Sequence, residues 1–319
     1  MVLSRRRVWG RVAKSRHLGA LAAVAGILAA VGLLVVFVAA RPAEATFPGQ
    51  PGKIAYSGSA GNDKDIYTIN PNGRGKFPVT KNDTGDSDPS YSPNGKRIAF
   101  SGWDGHDWEI YTIGIRGGSK FQVTKNRADD YEPAYSPNGK RIAYSGSDGN
   151  DKEIYTIDAR SGGRIQVTKN ATDDTGPDYS PNGKRIAFSG VVGNVAKIYT
   201  VGVRGGRKLQ VTKNRSTNDY APSYSPSGKK IAYAALAANA ANDQDIYTIN
   251  IGGGGRVQVT KNGTYDSDPS YSPNGRRIAY SGYDGNDQEI YTINVRGGGR
   301  VQVTKNGAGD FSPSWESRP

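Results

Sequence analysis

The chain contains no cysteine, a single methionine and only two histidines. Without cysteine there are no disulfides, no thiolate metal sites and no cysteine nucleophile. Only His106 of the two histidines lies beyond the first 45 residues. A Ser-His-Asp hydrolase needs a nucleophile elbow of the form G-x-S-x-G besides its acid and histidine, and no such elbow occurs. Long apolar runs are scarce as well. The uncharged stretch from Leu18 to Ala40 is long enough to span a bilayer. It follows Arg5, Arg6, Arg7, Arg11, Lys14 and Arg16 and precedes Ala43-Glu44-Ala45, a small-x-small pattern. Residues 1–45 are therefore read as a signal peptide or an N-terminal membrane anchor, with the basic end inside and the remainder exported. Residues 46–52 are read as a short linker.

What the chain has in abundance is Gly 43, Tyr 19 and Pro 17, with a net charge of +13. This composition suits short strands and tight turns. A close copy of Asp86 to Gly102, DSDPSYSPNGKRIAFSG, returns along the chain, marked by Pro89, Pro133, Pro177, Pro222, Pro269 and Pro313. Periods of roughly 40–45 residues built from short strands read as propeller blades. Within one unit the spacing predicts four strands, at Pro89 to Ser92, Arg97 to Ser101, Glu109 to Ile113 and Phe121 to Thr124. Ser92-Pro93-Asn94-Gly95 supplies a hairpin and Gly117-Gly118 a second turn. The first copy begins late, at Lys53-Ile54-Ala55-Tyr56-Ser57, whereas the last stops just after Ser312-Pro313-Ser314-Trp315. The two fragments complete one another if the Trp315 strand pairs beside Ile54 to Tyr56, which leaves no open edge. The expected fold is all-β, a six-bladed propeller over residues 53–319, and one monomeric body.

PSYSPNGKRIAFSG followed by EIYTI and QVT resembles the repeat of TolB-like, WD-related β-propellers, over Lys53 to Trp315. The resemblance implies the propeller fold. It does not extend to the α/β domain that precedes the blades in TolB, since the repeats begin soon after the apolar segment.

Repeated acids invite a catalytic or metal reading. A glycosidase pair must be singular, one carboxyl raised in pKa and one not, whereas these acids recur at matching positions. Asp86, Asp130, Asp174, Asp219, Asp266 and Asp310 stand three residues before each marker proline. They are expected to shape the crossing between blades by accepting backbone N–H groups, or else to ring the channel mouth and hold calcium or another divalent cation. Asp88, Glu132 and Asp268 extend such a ring; Gly176, Ala221 and Ser312 interrupt it. No resident cofactor is otherwise implied.

Topology sorts the charges. Turns joining strands 1–2 and 3–4 share one rim and carry Lys and Arg against Asp158 alone. The 2–3 loops and the crossings share the other rim, which is acidic. A basic rim suits an anionic surface, with no signal for specific nucleic-acid recognition. Function is sought where repeats diverge. Trp103, His106 and Trp108 replace small residues in the 2–3 loop of the second blade, and Tyr283 stands at the position of Trp103 in the last full copy. Exposed aromatics there suit stacking on a sugar or gripping a peptide. The fourth blade carries Val191 to Lys197 in place of acids, and the fifth inserts Leu236 to Ala241. The sequence thus predicts an extracytoplasmic, non-enzymatic binding or scaffold propeller for a protein or cell-envelope polymer. The alternative is a lactonase-type or other hydrolase or lyase with a divalent cation at the channel mouth.

Overall fold

The structure, a computed structural model, describes residues 49–318 apart from 62, 161, 215–216 and 237–242. The signal or anchor segment and most of the insertion after Leu236 lie outside the described residues. Among the described residues, no helix is long and apolar enough to cross a membrane.

Six four-stranded antiparallel sheets form the blades of a closed propeller. Blade II shows the plan, with strands Asp86–Tyr91, Arg97–Trp103, Trp108–Gly114 and Phe121–Gln122. The second and third strands run longer than the sequence pattern suggests, and the outer strand is only two residues. Blade I is assembled from both ends of the repeat array: Asp310–Arg318 pairs with Gln50–Ala60, aligning Ile54 with Trp315 and Ala55 with Ser314. Pairing continues to Gln50 and Arg318, so the closing strand reaches into the stretch read as a linker. The Lys53 backbone N–H donates to Glu316 Oε2 at 2.8 Å, which places Glu316 inside the closure.

Each blade is apolar on both faces because it lies between two others. Six buried clusters fill the blade interfaces, typified by Ala99, Ile110, Tyr135, Ile142 and Tyr144 between blades II and III. Small Ala99 and its counterparts let adjacent sheets approach. At the outer side an aromatic pair recurs, as in Phe100 on Tyr111 at 5.7 Å. A cation in or just before the outer strand covers it, for example Lys120 Nζ at 4.3 Å from the Tyr111 ring and Arg164 at 3.6 Å from that of Tyr155. These cations, assigned by sequence to the basic rim, cap the aromatic stacks.

Every inner strand, including that of blade I formed from the C-terminal segment, bulges just before its proline. The residue there is left-handed: Asp88 has φ 52°, Glu132 55° and Ala221 49°. Its N–H is drawn to the preceding blade, Asp88 N donating to Ser57 Oγ and Glu132 N to Ser101 Oγ, both at 3.1 Å. That hydrogen bond offsets the strain of a left-handed non-glycine residue.

Candidate binding rim

The six proline-linked aspartates do not face a channel mouth. Asp86, Asp130, Asp174, Asp219 and Asp266 are 0% exposed and Asp310 1%. Their carboxylates accept side-chain amides, not backbone N–H groups: Asn82, Asn126, Asn170 and Asn306 Nδ2 each lie 2.7 Å from an Asp Oδ2. The Asn side chains themselves make the turns, as Asn126 Oδ1 accepts the Ala128 N–H at 2.8 Å. A second buried acid from the third strand completes the crossing. Glu109 and Glu289 Oε1 accept the backbone N–H groups of Asn126 and Asn306 at 2.5 Å. Burial pushes Asp86, Asp174 and Asp266 up to about 6, and Asp130 and Asp310 up to about 7. Most of the rim's repeated acids thus hold the crossings in place.

Asp88, Glu132 and Asp268 occupy the left-handed position of their inner strands, two residues beyond the buried aspartates. Burial is the main cause of the upward shifts of Glu132 and Asp268, the latter to about 6, and the charge of Asp88 adds to both. Glu132 Oε2 accepts Ser145 Oγ and the Gly176 N–H, each at 2.7 Å. Further along the lumen Asp178, pushed up to about 7 by burial, occupies a position that is Ser or Ala in the other blades. Its Oδ2 accepts the Tyr224 N–H at 2.6 Å. The sequence offered the Asp178 signal as a departure from PSY to PDY.

Trp103 and Trp108 do come together. They are opposite across the 2–3 hairpin of blade II, with ring centres 6.1 Å apart and edge to face. Trp108 continues onto Tyr131 of blade III at 5.7 Å, and Lys152 Nζ stands 5.0 Å from the Tyr131 ring. The Trp108 N–H donates to Asp129 Oδ1 at 3.0 Å, which pins the ladder to the crossing. Both tryptophans are half-buried, and His106 is exposed at the loop tip. Its backbone N–H caps Asp104 Oδ1 at 2.8 Å, and this bond with that from Asp107 holds the Asp104 carboxyl below its ordinary range. Tyr283 is not part of this ladder. It lies on blade VI, with its N–H on the Tyr265 carbonyl at 3.1 Å and its hydroxyl on that of Gly285 at 2.9 Å. Tyr265 and Tyr220 are exposed too, giving a second aromatic patch at the V/VI crossing. Tyr131, Tyr220 and Tyr265 escaped the sequence reading because each sits in or beside a first strand, where aromatics look like core.

Three 2–3 loops gather carboxylates whose ligand oxygens lie within 4.8 Å of one another: Asp104, Asp107 and Glu109; Asp148, Asp151 and Glu153; Asp284, Asp287 and Glu289. In each the glutamate already accepts crossing N–H groups, and the first aspartate caps its own loop.

The model of the TolB beta propeller domain matches residues 51–235 and 210–319. The chain belongs to the TolB β-propeller domain family. Among solved structures, TolB from Acinetobacter baumannii superposes with a TM-score of 0.74 at 22% identity, over 92% of this chain and 72% of that one. A protein of Agrobacterium tumefaciens designated TolB gives 0.67 at 19%, covering 85% of this chain and all of its own. Hydrazine synthase of Kuenenia stuttgartiensis gives 0.70 at 17%, over 85% of this chain and 47% of that one. At these identities the likeness is one of fold. No curated protein sequence matches the chain significantly.

Proposed function

We propose that this TolB-family propeller is an extracytoplasmic, non-enzymatic binding module that grips a protein or cell-envelope polymer on its crossing rim. The observation that carries the reading is the half-buried ladder of Trp103, Trp108 and Tyr131, three aromatic rings in sequence that no sister blade combines. Aromatic faces held rigid on a polar rim supply contact area at low entropic cost. The carboxylates of Asp88, Glu132 and Asp268 on the inner strands favour a partner with cationic groups. The basic segment followed by an apolar run at residues 5–40 supports export, as a cleaved or retained leader. The opposite, basic rim is then free to meet an anionic surface.

The test is capture from envelope extract by the full chain, compared with the Trp103→Ala/Trp108→Ala double variant and repeated with EDTA. Capture of a defined partner should fall at least about tenfold in the variant, as loss of a central aromatic anchor predicts, and should survive chelation. Unchanged capture by the variant sinks the reading. Turnover of lactones or sugar esters that EDTA abolishes would favour the enzyme alternative instead.

A further inference from the structure

On the opposite rim the six blade interfaces are not equivalent. Directly after the third strand of blades II, IV, V and VI, the chain places an apolar side chain against the core below. Ile115 packs on the I/II cluster, Val203 on III/IV, Ile251 on IV/V and Val295 on V/VI. Blade III has Ala159 at that point, held by the same backbone bond, its N–H on the Lys140 carbonyl at 3.0 Å as that of Ile115 is on Lys96 at 3.3 Å. A cleft of about 680 Å³ opens between blades II and III at this point, with Ala159 in its lining. That volume lies within the range of small-molecule sites.

The lining is specific in chemistry. Phe121, 47% exposed, contributes aromatic surface, Tyr135, 6% exposed, closes the floor, and Arg97, Lys140 and Arg160 contribute cations. Arg97 is oriented by Nη2 bonds to Thr112 O at 3.0 Å and Thr112 Oγ1 at 2.7 Å, so its guanidinium is fixed before any ligand arrives. Asn94 and Asn138 belong to the two bordering hairpins, each Oδ1 accepting the N–H of the following lysine, Lys96 at 3.1 Å and Lys140 at 3.0 Å. The single carboxylate, Asp158, is turned to its own loop, Oδ1 accepting the Arg160 N–H at 2.9 Å. Three cations against one such acid favour an anion, and the aromatic walls favour a ring that can lie against them.

We infer that the II/III cleft on the basic rim is a binding site for an anionic sugar, a uronate or sugar-phosphate ring such as an acidic polymer repeats. Arg97, Lys140 and Arg160 take the acid group, and the Phe121 and Tyr135 side takes the ring. This site is separate from the crossing rim, and neither depends on the other.

The experiment is calorimetric titration of the full chain with digalacturonate, with cellobiose, AMP and inorganic phosphate as comparison probes. Saturable binding of digalacturonate, with none of cellobiose, is expected. Ala159→Ile restores the residue that blade II carries and should weaken binding at least about tenfold, equivalent to roughly 1.4 kcal/mol, with the melting temperature unchanged. Lys140→Gln/Arg160→Gln, on the exposed edge, should weaken it comparably and flatten its salt dependence even if the isoleucine variant folds poorly. Three results would overturn the inference: no binding of digalacturonate, binding indifferent to both variants, or phosphate or AMP bound more tightly than the uronate.

Discussion

The II/III and IV/V crossings solve the same packing problem with opposite charges. At II/III, Glu109 and Asp130 are both buried carboxyls linked through Asn126, whose Nδ2 reaches Asp130 Oδ2 at 2.7 Å and Glu109 Oε2 at 3.4 Å. Burial, with a smaller contribution from the Glu109 charge, pushes the Asp130 carboxyl up to about 7, so that this pair holds a proton towards neutrality. At IV/V the glutamate is replaced by Lys197, 4% exposed, whose Nζ lies 3.5 Å from Asp219 Oδ2 and also bonds Asn214 Oδ1 and the Thr217 carbonyl. Two further changes accompany it. Asp219 faces Ala235, where five sister aspartates face glycine, and Asn214 stands five residues before its aspartate, not four. A methyl on those glycines would meet the carboxylate oxygen at 2.5–3.0 Å. Ala235, the longer crossing and the lysine therefore go together: the aspartate gives up its place over a glycine and takes an ion pair. One architecture tolerates a proton-sharing pair or a salt bridge, provided every buried charge is met.

The largest expected effect is that of breaking the ion pair. Lys197→Met should cost about 3–5 kcal/mol at pH 8, the usual loss when one partner of a buried pair is removed, read by urea unfolding. At pH 5 the loss should be smaller, because a buried charge left without its partner is neutralised more readily in acid than it is held unpaired. An equal loss at both pH values would break the comparison.

Next comes the pH dependence of the intact protein. Folded carboxyls at about 6 and 7, raised by burial from the ordinary carboxylate value, bind protons that the unfolded chain has released. Their stabilising contribution is present at low pH and is lost as pH rises through 6 to 7. The melting temperature should therefore be higher at pH 5 than at pH 8, by at least about 2–4 °C, the shift that 1 kcal/mol makes in a domain of this size. Asp130→Asn should remove part of that slope. A melting temperature that rises between pH 5 and pH 8 contradicts the proton-sharing account.

The smallest effect separates the two crossings by volume. Gly146→Ala brings a methyl to 2.5 Å from Asp130 Oδ1 and 3.1 Å from the Tyr144 ring, and should cost about 1–3 kcal/mol as overpacking does. Ala235→Gly in blade V relieves no clash and should change stability by no more than about 1 kcal/mol, the backbone-entropy difference. Thermal melts of the two variants give the comparison, and equal losses would show that the glycine is not reserved for the carboxylate.

The repeat itself made the propeller legible in the sequence. A period near 44 residues, a hairpin at Ser92 to Gly95 and apolar strands in fixed order leave few ways to bury both faces of every sheet, and the split first blade announced its own closure. These are local signals, repeated. Divergence from the repeat also exposed Trp103 and Trp108 before any coordinates. What lay beyond it was set by neighbours distant in sequence. Only packing showed that the Asp86 series bonds to asparagine amides in the dry seams between blades, since burial is a property of the assembled ring. The basic residues on one rim likewise divide between aromatic caps and free cations only once Tyr111 and Thr112 lie beneath them. The cleft at Ala159 is the clearest case: as a residue it is a small apolar side chain in a turn, and only the assembled ring sets it beside Arg97 and Phe121 of the neighbouring blade.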